Sequence, residues 1–149
     1  MKMNTKYFGE IEFEDNKIIL FKEGIPGFRE LTKYIIIEDP EETFVYLQSV
    51  ENGDISFMTM NPYMLKSDYI IDIKQSYIDS LGGGDTESFL VTVIANIKDD
   101  FKEATVNLVA PIIIQSETQL GMQIILEETK YTTKHKIKEL LLEKEEGIC

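Results

Sequence analysis

The sequence predicts a mainly β protein, a small antiparallel β-barrel-like single domain over residues 1–149 with a short helix near 75–81 and a C-terminal helix. Three observations lead there. Short runs of β-branched and aromatic residues are punctuated by turn residues about every 8 to 12 positions, the spacing of closed or nearly closed antiparallel sheets. The length of 149 residues suits one domain, which at that size buries roughly 70% of its unfolded surface. Neither an internal repeat nor a low-complexity linker divides the chain. The barrel is expected over about residues 6–127 and the last helix over about 133–145.

Taken in order, Tyr7 to Phe13 reads as a strand, with Tyr7, Gly9, Ile11 and Phe13 on one face. The polar turn Glu14-Asp15-Asn16 sends Lys17 to Phe21 back as its hairpin partner. Next comes Phe21-Lys22-Glu23-Gly24-Ile25-Pro26-Gly27-Phe28. Pro26 fixes its own φ and biases Ile25 toward extended geometry, so a stiff corner is expected here. Apolar Ile25 and Phe28 on that corner either plug the barrel end or present a knob to a partner. Lys33 to Glu38 is a β-branched run suited to a strand covered on both faces. Thr43 to Val50 and Ile55 to Met60 flank Asn52-Gly53, a dipeptide that favours a type I′ hairpin turn.

Asn61-Pro62 stops that strand, and Tyr69 to Ile73 is a further short extended segment. Gln75 to Leu81 reads as one or two helical turns, with Ser76 and Asp79 in capping-box spacing and Gly82 placed to end the helix. The following Gly82-Gly83-Gly84-Asp85 is expected to be mobile and lacks the strand, helix and Lys-Ser or Lys-Thr of a phosphate loop. Phe89 to Asn96 is a long strand, and Asp99 to Glu103 a polar connection. Thr105 to Ile114 is a second apolar run interrupted by Pro111, which implies a bulge, a strand switch or an edge. Gln119 to Glu127 closes the set, with Gly121 as a bend. From Tyr131 to Glu146 the period changes to helical, with Ile137, Leu140 and Leu141 on one face and Thr132 or Thr133 as N-cap. Its lysines come early and its glutamates late, against the helix dipole, so this helix needs a docking surface on its own barrel or on another molecule.

Charge narrows the function classes. Fifteen basic residues stand against 27 acidic ones, a net charge of −12. Such a field repels nucleic acid and anionic membrane and steers basic proteins toward the surface. Arg29 is the single arginine, so bidentate phosphate clamps are scarce. No apolar run of membrane-spanning length and no secretory leader are read, and one cysteine, Cys149, fits a reducing cytoplasm. His135 is the one histidine, which leaves no Ser-His-Asp set, no Cys-His pair and no His-rich metal cluster. The acidic groups lie at turns without the calcium-loop pattern. An enzyme is not expected, nor is a cofactor or a metal.

Several segments together resemble the FliW family of flagellar assembly factors. They are Phe21-x-x-Gly24-Ile25-Pro26-Gly27-Phe28, Phe44-x-x-Leu47-Gln48-Ser49, Phe57-x-x-x-Asn61-Pro62, Asp68-Tyr69, Thr105-Val106-Asn107-Leu108-x-Ala110-Pro111-Ile112, and Gly121-x-Gln123 with Tyr131 beyond. They occur in the family's order from about Tyr7 to Tyr131. The resemblance implies a non-catalytic β-barrel-like protein with two partners held in exchange. One is flagellin, bound through its C-terminal region. The other is CsrA, a small basic RNA-binding translational repressor that is antagonised when flagellin has been secreted. The −12 field supplies a physical reason, since it attracts a basic partner and repels RNA from the complex.

The matched positions make Ile25, Pro26, Phe28, Gln48, Asn107, Ala110 and Pro111 the candidate partner-binding residues. Charge alone adds Glu38, Glu41 and Glu42, and the turn Glu51 to Asp54. A motif match does not separate binding from folding. Asn107 beside the proline break is better placed to hydrogen-bond freed backbone groups than to bind a partner, and Gln48 at a strand end has the same two roles open. Two rival classes remain: a chaperone for flagellin alone, and a barrel with a dry, roomy interior that takes a small apolar ligand.

Overall fold

The computed structural model describes residues 1–41, 43–97 and 101–146. Its strands are β1 (Lys2–Thr5), β2 (Gly9–Glu12), β3 (Ile19–Leu20), β4 (Lys33–Glu38), β5 (Val45–Ser49), β6 (Ser56–Met60), β7 (Phe89–Asn96), β8 (Thr105–Val106), β9 (Ile112–Gln115), β10 (Leu120–Gln123) and β11 (His135–Lys136). The helices are α1 (Pro62–Leu65), α2 (Gln75–Ser80) and α3 (Ile137–Glu145). The order β7-β6-β5-β4-β3-β10-β9 closes on itself because β9 also pairs with β7, giving a barrel of seven strands. Every pairing is antiparallel except β3 with β10. β8 and β11 extend the sheet from the far end of β7, and β1–β2 is a separate two-stranded sheet.

The barrel interior is filled by Ile19, Phe21, Ile25, Leu31, Tyr34, Leu47, Ile112 and Ile114, all buried. Side chains of alternate residues on each strand share this face, as the two-residue period requires. The interior is therefore packed rather than roomy, which removes the structural basis for the small-ligand reading. A second core lies where Met60, Val93 and Val106 meet Leu65, Ile137 and Leu140 of α1 and α3. A third places Ile113 and Ile124 under Leu81 beside α2. The C-terminal helix thus docks on its own barrel.

Several expectations are corrected. Residues 7–13 and 17–21 do not form a hairpin with each other: β2 pairs with β1, and β3 pairs with β4 and β10. The Thr5 hydroxyl accepts from Phe8 N–H at 2.9 Å and donates to Gly9 O at 2.8 Å, closing the turn that returns the chain into β2. Glu14–Asn16 instead begins a 3-10 turn that leads into the barrel. Tyr69–Ile73 is a short segment that joins no named strand, and its Tyr69 and Ile70 amides bond Lys66 O and the Tyr131 hydroxyl. Asn52-Gly53 joins β5 to β6 as a hairpin without the positive φ of a type I′ turn. Gly53 is pressed against the backbone of Asn4, and Ser49 Oγ caps the Glu51 and Asn52 amides.

The helix at α2 and the glycine that ends it are as expected, with Gly82 N–H on Asp79 O and Gly83 N–H on Ile78 O. The capping box is not formed: Ser80 Oγ bonds Ser76 O, and Gln75 Nε2 bonds Asp79 Oδ1. The triple-glycine loop is tied down, since Gln115 Nε2 donates to Gly83 O at 2.6 Å and Thr118 Oγ1 to Leu81 O at 2.7 Å. Gly121 is not a bend but a space: a Cβ there would stand 2.7 Å from Phe21 Cζ. α3 starts at Ile137 rather than after Thr132 or Thr133, because His135 and Lys136 first pair with β8. Part of the Asp99–Glu103 connection, and Glu42 and Cys149, lie outside the described residues.

Candidate protein-interaction surface

The Gly24–Phe28 corner is built inward. Gly24 takes φ +68° with its α-carbon face against the Arg29 backbone, which leaves no room for a side chain. Gly24 N–H bonds Phe21 O at 2.9 Å, and Phe28 N–H bonds Ile25 O at 2.7 Å. These bonds fold Ile25 into the barrel core, where it is 1% exposed, and set Phe28 edge-on to Phe57 at 5.3 Å between centroids. Pro26 and Gly27 form the exposed tip. Of the three residues expected here to touch a partner, Pro26 is exposed, Phe28 half-buried and Ile25 buried.

Asn107 to Pro111 stand opposite only Val93 and Ile94, since Ala95 faces Val106 while Thr92 faces Ile112. This is the bulge that Pro111 announced. Asn107 Oδ1 accepts from Ala110 N–H at 3.1 Å, and Gln123 Nε2 donates to Ala110 O at 2.9 Å. Ala110 and Pro111 are buried and Asn107 is half-buried. Gln48 is fully buried, its amide donating to Ser49 O, Gly53 O and Ile55 O, while its Oε1 has no partner. In this conformation Ile25, Gln48, Ala110 and Pro111 hold the fold.

The bulge also gathers motif pieces that are distant in sequence. Tyr69 donates its hydroxyl to Leu108 O at 2.6 Å, and Tyr131 accepts at its hydroxyl from Ile70 N–H at 3.1 Å. The two rings lie 4.8 Å apart. Burial pushes the Tyr69 phenol strongly upward, so it remains a donor across the physiological range. Beside them opens a groove of about 660 Å³ between residues 70–77 and 124–131. Ile70 and Ile125 stand on it 74% and 65% exposed, and the Lys74–Glu127 ion pair at 3.0 Å spans it. The sequence reading missed both isoleucines. Each is the outward member of a two-residue alternation, Ile70 between Tyr69 and Ile71 and Ile125 between Ile124 and Leu126, in a segment outside the strands.

The acidic candidates divide. Glu38 and Glu41 are exposed, the latter next to Asp39, whose carboxylate caps its amide at 3.0 Å. Glu51 is engaged: its Oε1 accepts from Thr32 N–H at 2.7 Å and Lys33 N–H at 3.0 Å. Those amides hold its carboxyl below the usual range. Glu38 lines a second cleft of about 890 Å³, bordered by Ile11–Glu14 of the N-terminal hairpin and Ile35–Glu38 of β4. His135 is half-buried and lines a small cleft of about 240 Å³ with Lys66, Tyr131, Glu139 and Glu143. Its Nε2 accepts from Thr132 N–H at 2.9 Å, and burial, then the Lys66 charge, lowers its pKa. Among the described residues no group of three His, Cys, Asp or Glu side chains is placed to hold a metal, and no helix is long and apolar enough to cross a membrane.

The model of the FliW protein family matches residues 2–137. Curated relatives bear the name flagellar assembly factor FliW. That of Caldanaerobacter subterraneus subsp. tengcongensis is 44% identical over 143 residues, 95% of either chain. That of Alkaliphilus metalliredigens is 40% identical, covering 93% of this chain and 87% of its own. A Clostridium botulinum relative is 42% identical over 91% of this chain and 95% of its own. A crystal structure of the flagellar assembly factor FliW superposes with a TM-score of 0.86 at 35% identity, over 92% of this chain and 96% of that one. The chain belongs to the FliW family of flagellar assembly factors.

Proposed function

We propose that this protein is a non-catalytic, cytoplasmic partner switch of flagellar assembly. It binds flagellin through flagellin's C-terminal region and, when free of flagellin, binds and antagonises CsrA, so that flagellin synthesis follows secretion. The observation that carries the reading is the family match over residues 2–137. Two surface features support it. The Ile70–Ile125 groove offers apolar area to an amphipathic segment. The −12 net charge favours a basic, RNA-binding partner and repels its RNA.

Titration calorimetry of the protein with flagellin and, separately, with CsrA tests the proposal. Saturable heats with both partners are expected. Binding to flagellin alone reduces the role to a dedicated chaperone, and binding to neither overturns the reading.

A further inference from the structure

The cleft beside Glu38 is bordered by strand edges. Consecutive residues Ile11, Glu12, Phe13 and Glu14 all line it, as do Ile35 to Glu38. Alternate side chains of a strand point to opposite faces, so an unbroken run of lining residues marks an edge. The pairings agree. Among the described residues β2 has β1 as its one partner, in a two-stranded sheet. β3 is only two residues long and pairs with β4 at Lys33 and Tyr34, which among the described residues leaves that edge of β4 without a strand partner from Ile35 to Glu38. Unpaired edges of this kind are templates for an added strand.

The chemistry of the cleft selects what is added. Ile11, Phe13 and Leu90 contribute apolar surface, with Leu90 39% exposed. Glu12, Glu14 and Glu38 stand around it against one cation, Lys17. We propose that this cleft is a strand-addition site for an extended protein segment in which apolar residues alternate with lysine or arginine. Main-chain bonds to the edges of β2 and β4 hold the segment, its apolar side chains cover Ile11, Phe13 and Leu90, and its cations meet the three glutamates. The inference rests on reading this chain as a partner-binding protein, but it concerns the mode of binding and the partner's chemistry rather than the partner's identity.

The probe is a fluorescent peptide of alternating leucine and lysine, about ten residues long, with a leucine–glutamate counterpart and a copy N-methylated at alternate residues. Binding of the lysine peptide is expected, with slowed amide exchange at residues 11–14 and 35–38 of the full chain. N-methylation is expected to weaken binding by about tenfold or more, because it removes ladder donors and leaves the charge intact. Joint Glu12→Lys, Glu14→Lys and Glu38→Lys is expected to weaken it similarly. Joint Glu143→Lys, Glu145→Lys and Glu146→Lys, of equal net charge, is expected to change it less than about twofold. Exchange unchanged at both edges overturns the inference even if the peptide binds. Equal loss in the two triple variants, equal affinity of the N-methylated peptide, or no binding of the lysine peptide also overturns it. The exchange measurement uses the unsubstituted protein, so a variant that misfolds does not blunt the test.

Discussion

Gly24→Ala and Gly27→Ala add the same methyl to one corner, yet the structure predicts unequal costs. Both residues occupy the left-handed region, at φ +68° and +90°, where a Cβ costs about 1–2 kcal/mol. At Gly27 that strain is the whole effect, because nothing lies within 4 Å of the added carbon. At Gly24 the carbon would stand 2.5 Å from Arg29 Cα and 2.6 Å from Arg29 O. These are backbone atoms, and no rotamer change moves them aside. The segment is held by the Gly24–Phe21, Phe28–Ile25 and Leu31–Phe28 bonds, with Ile25 anchored in the core. Overpacking against such a frame adds about 1–3 kcal/mol. At this chain length each kcal/mol lowers the melting temperature by about 2–4 °C, so Gly24→Ala melts below Gly27→Ala by about 2–12 °C. Circular dichroism during thermal and urea unfolding reads the difference. A Gly27→Ala variant as destabilised as Gly24→Ala would refute the close approach at Arg29 and the inward construction of the corner.

Four further outcomes follow from the same geometry. Tyr69→Phe leaves Leu108 O buried without its donor, so the urea midpoint falls by the equivalent of about 1–3 kcal/mol with the slope unchanged. Gly121→Ala drives a methyl into the Phe21 ring and costs about 1–3 kcal/mol. Adding Phe21→Leu recovers part of that loss in a double-mutant cycle, and strict additivity of the two changes would count against the contact. His135 has a folded pKa below its unfolded value, so its contribution is present above about pH 6.5 and lost as pH falls through the lowered value. Replacing it with glutamine should flatten urea stability between about pH 7 and 5, and an unaltered pH profile would show that the Thr132 amide does not depend on a neutral imidazole. The association rate with a basic partner should fall steeply between about 50 and 200 mM salt, and a flat stopped-flow series would remove electrostatic steering.

Long, regular strands were legible in the sequence because their own residues carry the signal. β4 and β7 occupy the stretches expected, Lys33–Glu38 and Phe89–Asn96. Pro111, which offers no ladder donor, announced a bulge, a strand switch or an edge, and a bulge is what forms. What failed was pairing. β2 joins β1 across a turn that Thr5 Oγ1 ties with two bonds, and composition does not mark that turn. Asn52-Gly53 has the composition of a primed turn, but contact with Asn4 and the Ser49 cap override it. The start of α3 failed in the same way, through strand pairing at His135 and Lys136 that is long-range.

The surface was less legible for a different reason. A family motif marks positions without separating binding from folding: Gln48 and Ile25 are buried, and Asn107 caps its own bulge. Exposed apolar residues such as Ile70 and Ile125 lie outside sheet and helix. A two-residue alternation sets them on the outward face with Asp72, Lys74 and Glu127, but only the folded chain brings the two onto one groove.

The measurement closest to the central claim is competition on a preformed complex. Labelled CsrA is bound to this protein, flagellin is titrated in, and CsrA release is followed by fluorescence polarisation. The account predicts that flagellin returns the signal to that of free CsrA, with no three-component species by light scattering. A stable complex of all three, or CsrA that stays bound at saturating flagellin, would contradict it.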